Sequence, residues 1–133
     1  MTADWEPLID AARRCREHAY APYSGFRVGA ALRDLSGHVY TGCNVENASY
    51  GATVCAERIA LFKMVSEGAR RFDAVAVYTE ADPAAMPCGL CRQVLGEFQA
   101  GARVIVASPA SVEVIDFASL LPRPFLFEAR SET

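Results

Sequence analysis

The stretch that decides the fold runs Phe72-Asp73-Ala74-Val75-Ala76-Val77-Tyr78-Thr79, continues through Pro87-Cys88-Gly89-Leu90-Cys91, and ends in Arg103-Val104-Ile105-Val106-Ala107. Residues 72–79 and 103–107 are nearly continuous apolar runs, the mark of strands covered on both faces and therefore usually parallel. Between them Cys91, Val94, Leu95 and Phe98 fall at i, i+3, i+4 and i+7, the stripe of an amphipathic helix. The middle of the chain is therefore expected to be a right-handed strand-helix-strand unit.

Upstream of it, Ala56, Ile59, Ala60 and Met64 continue a helical pattern over residues 53–68, with Thr53 a candidate N-cap and Gly68 the stop. Residues 49–53 form a Gly-containing polar loop ahead of that helix. Two β-rich runs, 27–33 and 38–42, flank Asp34-Leu35-Ser36-Gly37 and read as an antiparallel hairpin. Over residues 4–20, Trp5, Leu8, Ala12, Cys15 and Ala19 recur at three and four, so a first amphipathic helix is expected, ended by Pro22. Downstream, a short helix near 117–121 and a turn at Pro122 and Pro124 close the chain. With no internal repeat, low-complexity tract or linker, residues 1–133 are expected to form one domain with a helix-on-sheet core.

Composition narrows the partners. The hydrophobic share of 52% lies slightly above that of an ordinary soluble domain and hints at apolar surface buried between subunits. With 13 Lys+Arg against 16 Asp+Glu, a net charge of -3 and no basic run, the chain lacks the footprint of a nucleic-acid binder, and a small soluble partner fits better. Asp4 and Glu6 lie near the start with no apolar stretch after them, so neither a signal peptide nor a membrane span is expected, and the location expected is cytoplasmic. Five cysteines, an odd number, would there be thiols or metal ligands rather than a disulfide framework.

Cys55-Ala56-Glu57-Arg58 and Pro87-Cys88-Gly89-Leu90-Cys91 both open helices. The partial positive charge of a helix start favours thiolate, the form that binds metal. The Cys-x-x-Cys lets Cys88 and Cys91 reach one ion at about 2.3 Å, and Cys55 is the third candidate ligand. Three protein ligands leave a fourth position for water, which separates a catalytic zinc site from a closed structural one. Cys15, on the first helix stripe, reads as a small core residue, and Cys43, His18 and His38 have no ligand-like neighbour in sequence. Glu57 would project from the same first turn as Cys55 toward the open position, as a carboxylate able to move protons. Arg58 would offset the negative charge of three thiolates. Taken singly, a Cys-x-x-Cys is as readily a redox pair or half of a structural zinc site, and a Glu at a helix start is commonly a surface residue. Cys-x-Glu at one helix start and Pro-Cys-x-x-Cys at the next are jointly far more specific to zinc deaminases.

The chain resembles the small cytidine deaminases, in the class with three cysteine ligands. The resemblance runs from about Tyr20 to Phe125, on Ala21-Pro22-Tyr23-Ser24 with Phe26, Gly42-Cys43-Asn44-Val45-Glu46-Asn47, Cys55-Ala56-Glu57-Arg58, and Pro87-Cys88-Gly89-Leu90-Cys91-Arg92-Gln93. It implies a three-layer α-β-α sandwich (an α/β fold) with a mixed sheet of about five strands, one zinc per chain and a homotetramer. It also implies hydrolysis of cytidine and deoxycytidine to uridine and deoxyuridine with release of ammonia, a step of pyrimidine salvage. By the same resemblance Asn44 and Glu46 would bond the ribose 3′-hydroxyl, Phe26 would stack on the pyrimidine, and the backbone of Ala56 with Glu57 would grip the base edge. Tyr50 and Phe125 would lie near the site, Phe125 from a neighbouring subunit. Without the cysteine motifs, Asn44 would read as a turn residue and Phe26 as core. Leu90 stands where relatives often carry Ala or Arg, a variable position.

Three rival readings stay open. Within the same chemistry, the substrate would be another aminopyrimidine, such as blasticidin S, or a free base; the ribose-binding pair argues for a nucleoside. A non-catalytic zinc module would need a fourth protein ligand or lack the shuttle carboxylate, and Glu57 is present. A polynucleotide deaminase is disfavoured by the acidic balance.

Overall fold

The hairpin is pinned at its turn. In a computed structural model that describes residues 4–127, β1 (Gly29–Asp34) and β2 (Val39–Cys43) pair antiparallel around Asp34. The Asp34 carboxylate accepts from the Ser36 N–H, the Ser36 hydroxyl, the His38 N–H and the Tyr40 hydroxyl at 2.7–3.0 Å. Those donors, the Ser36 hydroxyl foremost, hold its carboxyl below the usual value.

On the other side of β1 lies β3 (Phe72–Tyr78), antiparallel, followed by β4 (Gln99–Ala107), parallel to β3. The α-helix α3 (Gly89–Gly96) links these two strands, so the expected crossover is present, with β4 starting four residues before the apolar run. At the edge β5 (Val112–Asp116) pairs antiparallel with β4, giving the sheet order β2-β1-β3-β4-β5 among the described residues.

Alternation along the strands divides the core in two. Ala31, Ala74, Ala76, Tyr78, Ile105 and Ala107 pack under Leu8, Ile9 and Ala12 of α1 (Glu6–Arg16). On the opposite face, Ala30, Leu32, Val75, Val104 and Val106 meet Ala60, Leu61 and Met64 of α2 (Ala56–Ser66), Leu95 of α3, and Phe117 of α4 (Phe117–Leu120). Both faces of the sheet are therefore covered, which is why the central strands are apolar almost without break. This is the three-layer α-β-α sandwich with a mixed five-stranded sheet.

Two expected boundaries shift. α1 ends at Arg16, well before Pro22, because Tyr20 leaves the helix to bridge Val45: the Tyr20 N–H donates to Asn44 O at 3.0 Å and Glu46 N–H to Tyr20 O at 2.8 Å. α2 begins after Cys55, not Thr53; a 3₁₀ turn at Tyr50–Ala52 intervenes, and the Thr53 hydroxyl instead accepts from the Asn47 N–H at 3.1 Å.

The start of α2 is fixed on the sheet by Gly42. A Cβ there would lie 2.5 Å from Ala56 O and 2.6 Å from Ala60 N, so only glycine lets β2 and α2 approach this closely. Gly42→Ala should destabilise the protein by about 1–3 kcal/mol, whereas Gly51→Ala, with nothing within 4 Å of the added Cβ, should not. Thermal unfolding compares them; equal midpoints would contradict the close approach.

Candidate active site

Two helix starts meet beside the carboxyl end of β3. Cys55 is the N-cap of α2 and Cys88 the N-cap of α3, both with extended backbone. Cys91 sits one turn into α3 and is fully buried. The three sulfurs lie within 4.8 Å of one another, and they are the one convergent group of three or more potential ligands among the described residues. A tetrahedral zinc with three sulfurs at about 2.3 Å spaces them by about 3.8 Å, so small side-chain adjustments close the triangle. The donor set fits that ion.

The electrostatics also fit. Cys55 is drawn down to about 5 by the Cys91 thiol that hydrogen-bonds to it and by Arg58, while Cys91 is pushed up by its hydrogen bond to Cys55 and by burial. The Cys88 sulfur accepts from the Cys91 N–H at 3.4 Å, which caps the start of α3. Arg58 donates from Nη2 to Thr53 O at 3.3 Å and to Cys55 Sγ at 3.8 Å, and its Nε is buried without a partner. It thus lies against the thiol cluster, where its charge compensates thiolate.

Glu57, only 4% exposed, stands beside the sulfurs in the first turn of α2. Burial pushes its carboxyl up to about 7, into the range where one group can both take and return a proton at neutral pH. Cys55, Cys88, Ala56 and Glu57 line a cavity of about 280 Å³ whose other walls include Phe26, Asn44 and Glu46.

The last three come from segments braced against each other. Asn44 Oδ1 accepts from the Val28 N–H and its Nδ2 donates to Phe26 O, both at 2.8 Å. Glu46 accepts from the Tyr23 N–H at 2.9 Å, the Ser24 N–H at 3.1 Å and, more closely, the Ser24 hydroxyl. These bonds, Ser24's hydroxyl foremost, keep Glu46 ionised below the usual carboxylate value. The two residues therefore hold the 20–28 segment as well as facing the cavity.

Tyr50 and Phe125 do not line that cavity. Tyr50 packs edge-on to Tyr23 at 6.1 Å and borders an adjacent hollow with Ser24 and Glu46. Phe125, 72% exposed, lies over Gln93 and Leu121, where its carbonyl accepts from Gln93 Nε2 at 3.1 Å. Sequence reasoning missed Thr79, Met86 and Ser24 as cavity walls. Thr79 had one available signal, its place just past a parallel strand, where open α/β sheets bind ligands; Met86 had none beyond adjacency to Pro87.

An α/β sandwich that gathers three thiols and a buried carboxylate at the floor of a small cavity is a hydrolytic zinc enzyme in its architecture. The profile of the cytidine and deoxycytidylate deaminase zinc-binding region matches residues 3–108, and the chain belongs to that family. It is 46% identical over 124 residues to a cytidine deaminase of Sporosarcina psychrophila, covering 92% of this chain and 91% of that one. A cytidine deaminase of Halalkalibacterium halodurans is 46% identical over 127 residues, at 94% and 96% coverage. The crystal structure of cytidine deaminase from Burkholderia pseudomallei superposes with a TM-score of 0.87 at 47% identity, covering 94% of this chain and all of that one.

Asn44, 8% exposed, spends both ends of its amide on backbone. Asn44→Ala should therefore cost about 1–3 kcal/mol of stability through two part-buried backbone groups left unpaired. Thermal denaturation measures it, and a variant as stable as the parent would contradict the brace.

Proposed function

We propose that this protein is a zinc-dependent cytidine deaminase that converts cytidine and deoxycytidine to the uracil nucleosides with release of ammonia. The observation that carries the reading is the convergence of Cys55, Cys88 and Cys91 beside a buried Glu57 at the floor of a cavity that Phe26, Asn44 and Glu46 also line. Cys55, Cys88 and Cys91 would hold one zinc, which when bound lowers the pKa of water toward 7 and so supplies a nucleophile at neutral pH.

Glu57 moves the protons. Its carboxylate takes one proton from the attacking water and passes it to N3 of the pyrimidine. It then takes the second from the hydroxyl formed at C4 and gives it to the amine, so that the C4–N bond breaks, ammonia leaves and C4 becomes a carbonyl. A carboxyl near 7 suits this repeated exchange. Arg58, against Cys55, balances thiolate charge. Phe26, 43% exposed on the cavity wall, offers a face for the ring, and the first turn of α2 at Ala56 and Glu57 presents backbone N–H groups that no helix carbonyl takes toward the base edge.

Counting valences supports a sugar hydroxyl as the ligand of Asn44 and Glu46. An ionised carboxylate has about four acceptor sites; three on Glu46 are filled by Tyr23 and Ser24. Asn44 keeps one amide hydrogen after donating to Phe26. A spare acceptor on Glu46 beside a spare donor on Asn44 matches a hydroxyl, which is both. A 5′-phosphate finds no welcome: among the described residues no Lys, Arg or His lines either hollow, while the ionised Glu46 repels it. That favours nucleoside over nucleotide.

Residues 1–133 would act as one domain, in the cytoplasm, in pyrimidine salvage, as a homotetramer that brings Phe125 of a neighbour to each site alongside Tyr50. The exposure of Phe125, Leu126 and Phe127 supports the assembly. No helix among the described residues is long and apolar enough to cross a membrane.

Glu57→Gln keeps size and metal ligands but removes the shuttle. It should retain one zinc per chain by elemental analysis and lose turnover of cytidine by at least about 10²–10⁴-fold. Near-parental turnover with zinc bound would overturn the mechanism.

A further inference from the structure

Ser24 stands at the lip shared by the two hollows. Its hydroxyl donates to Glu46 Oε2 and accepts from the Phe26 N–H at 3.0 Å, and its own N–H donates to Glu46 Oε1 at 3.1 Å. The direction of the first bond is fixed, because an ionised carboxylate can only accept. The chain reverses between these contacts at Gly25, whose φ of +71° is open to glycine and costly for other residues, and the Gly25 N–H closes the turn on Ala21 O at 2.9 Å.

One side chain thus joins two groups with different tasks. Toward Glu46 it fills an acceptor site on Oε2, leaving that oxygen a single further site. Toward Phe26 it holds the backbone from which the aromatic ring projects. We propose that Ser24 is a positioning residue that sets the sugar selectivity of the site by aiming the one remaining acceptor of Glu46 Oε2 and tying it to the segment that carries Phe26. The proposal rests on the reading above that Glu46 meets a sugar hydroxyl. Two backbone N–H groups would still hold Oε1 in a Ser24→Ala variant, so Glu46 would stay at the site while Oε2 lost its fixed direction. Ser24's hydroxyl is also the foremost cause of the low Glu46 value, which gives the contact a second signature.

The test uses the zinc-loaded full chain as parent, Ser24→Ala and Ser24→Thr, each first shown to unfold at a similar temperature. Steady-state kinetics with cytidine and 3′-deoxycytidine, and carboxyl-carbon NMR titration of Glu46, are the readouts. In Ser24→Ala the KM for cytidine should rise about tenfold with kcat within about twofold, a factor of ten being about 1.4 kcal/mol. The KM for 3′-deoxycytidine should not move, so the preference for the 3′-hydroxyl shrinks, and Glu46 should titrate higher. Ser24→Thr, which keeps a hydroxyl, should restore both. Unchanged selectivity and an unchanged Glu46 titration in Ser24→Ala would overturn the proposal, as would equal losses on both substrates, the mark of a merely structural role. A parent indifferent to the 3′-hydroxyl would overturn the sugar reading of Glu46 and the selectivity role with it, and the NMR titration would then report the Ser24–Glu46 contact by itself.

Discussion

Three sulfurs from two helix starts have to meet within 4.8 Å, and most of the architecture follows from that requirement. The first turns of α2 and α3 must lie side by side at the same end of the sheet, so both helices have to cover the same face, as their shared core with Leu61, Met64 and Leu95 shows. The parallel pairing of β3 and β4 delivers the start of α3 to the carboxyl end of β3. Gly42 lets β2 press against the backbone at Ala56 and Ala60, which sets the depth of α2's start. Thiolates at two helix N-termini are stabilised by the orphaned N–H groups there, and Arg58 supplies the remaining positive charge.

Glu57 shows how that packing becomes chemistry. Its place in the first turn of α2 leaves it almost fully buried beside the thiols, and burial raises its carboxyl to about 7. The same side chain at an exposed helix start would be an ordinary carboxylate that favours the dipole. Asn44 and Glu46 carry a similar double duty. Glu46 spends three of about four acceptor sites, and Asn44 half of its hydrogen-bonding capacity, on the 20–28 segment, and what is left over is a small, directional remainder. Recognition built from a remainder of braced groups is preorganised, since the groups that would bind are already immobile.

Much of this was legible in sequence. The crossover unit and hairpin follow from apolar runs and turn residues, and the thiol cluster follows from Cys-x-Glu and Pro-Cys-x-x-Cys at helix starts. Four features resisted, each for a physical reason. Ala19 continues the helical stripe and is buried, yet Tyr20 is captured by Val45 and the helix stops at Arg16. Thr53 has the side chain of an N-cap, but Cys55 occupies the cap. β5 is an exposed edge strand, with Glu113 between two valines, and escapes a search for continuous apolar runs; only the family resemblance implied a fifth strand. Ser24 was visible as part of a motif, but its link to both Glu46 and Phe26 depends on a chain reversal at Gly25 that residue types alone do not disclose.

On the function proposed above, a tricysteine zinc site in this cavity hydrolyses the exocyclic amine of a cytosine nucleoside. The most direct measurement follows ammonia and uridine together when protein of known zinc content is mixed with cytidine, with metal-stripped protein alongside and deoxycytidylate as a competing substrate. Expected are about one zinc per chain, equal molar yields of ammonia and uridine, no turnover after stripping, and little turnover of the nucleotide. Protein that holds its zinc and releases no ammonia from cytidine or deoxycytidine would contradict it.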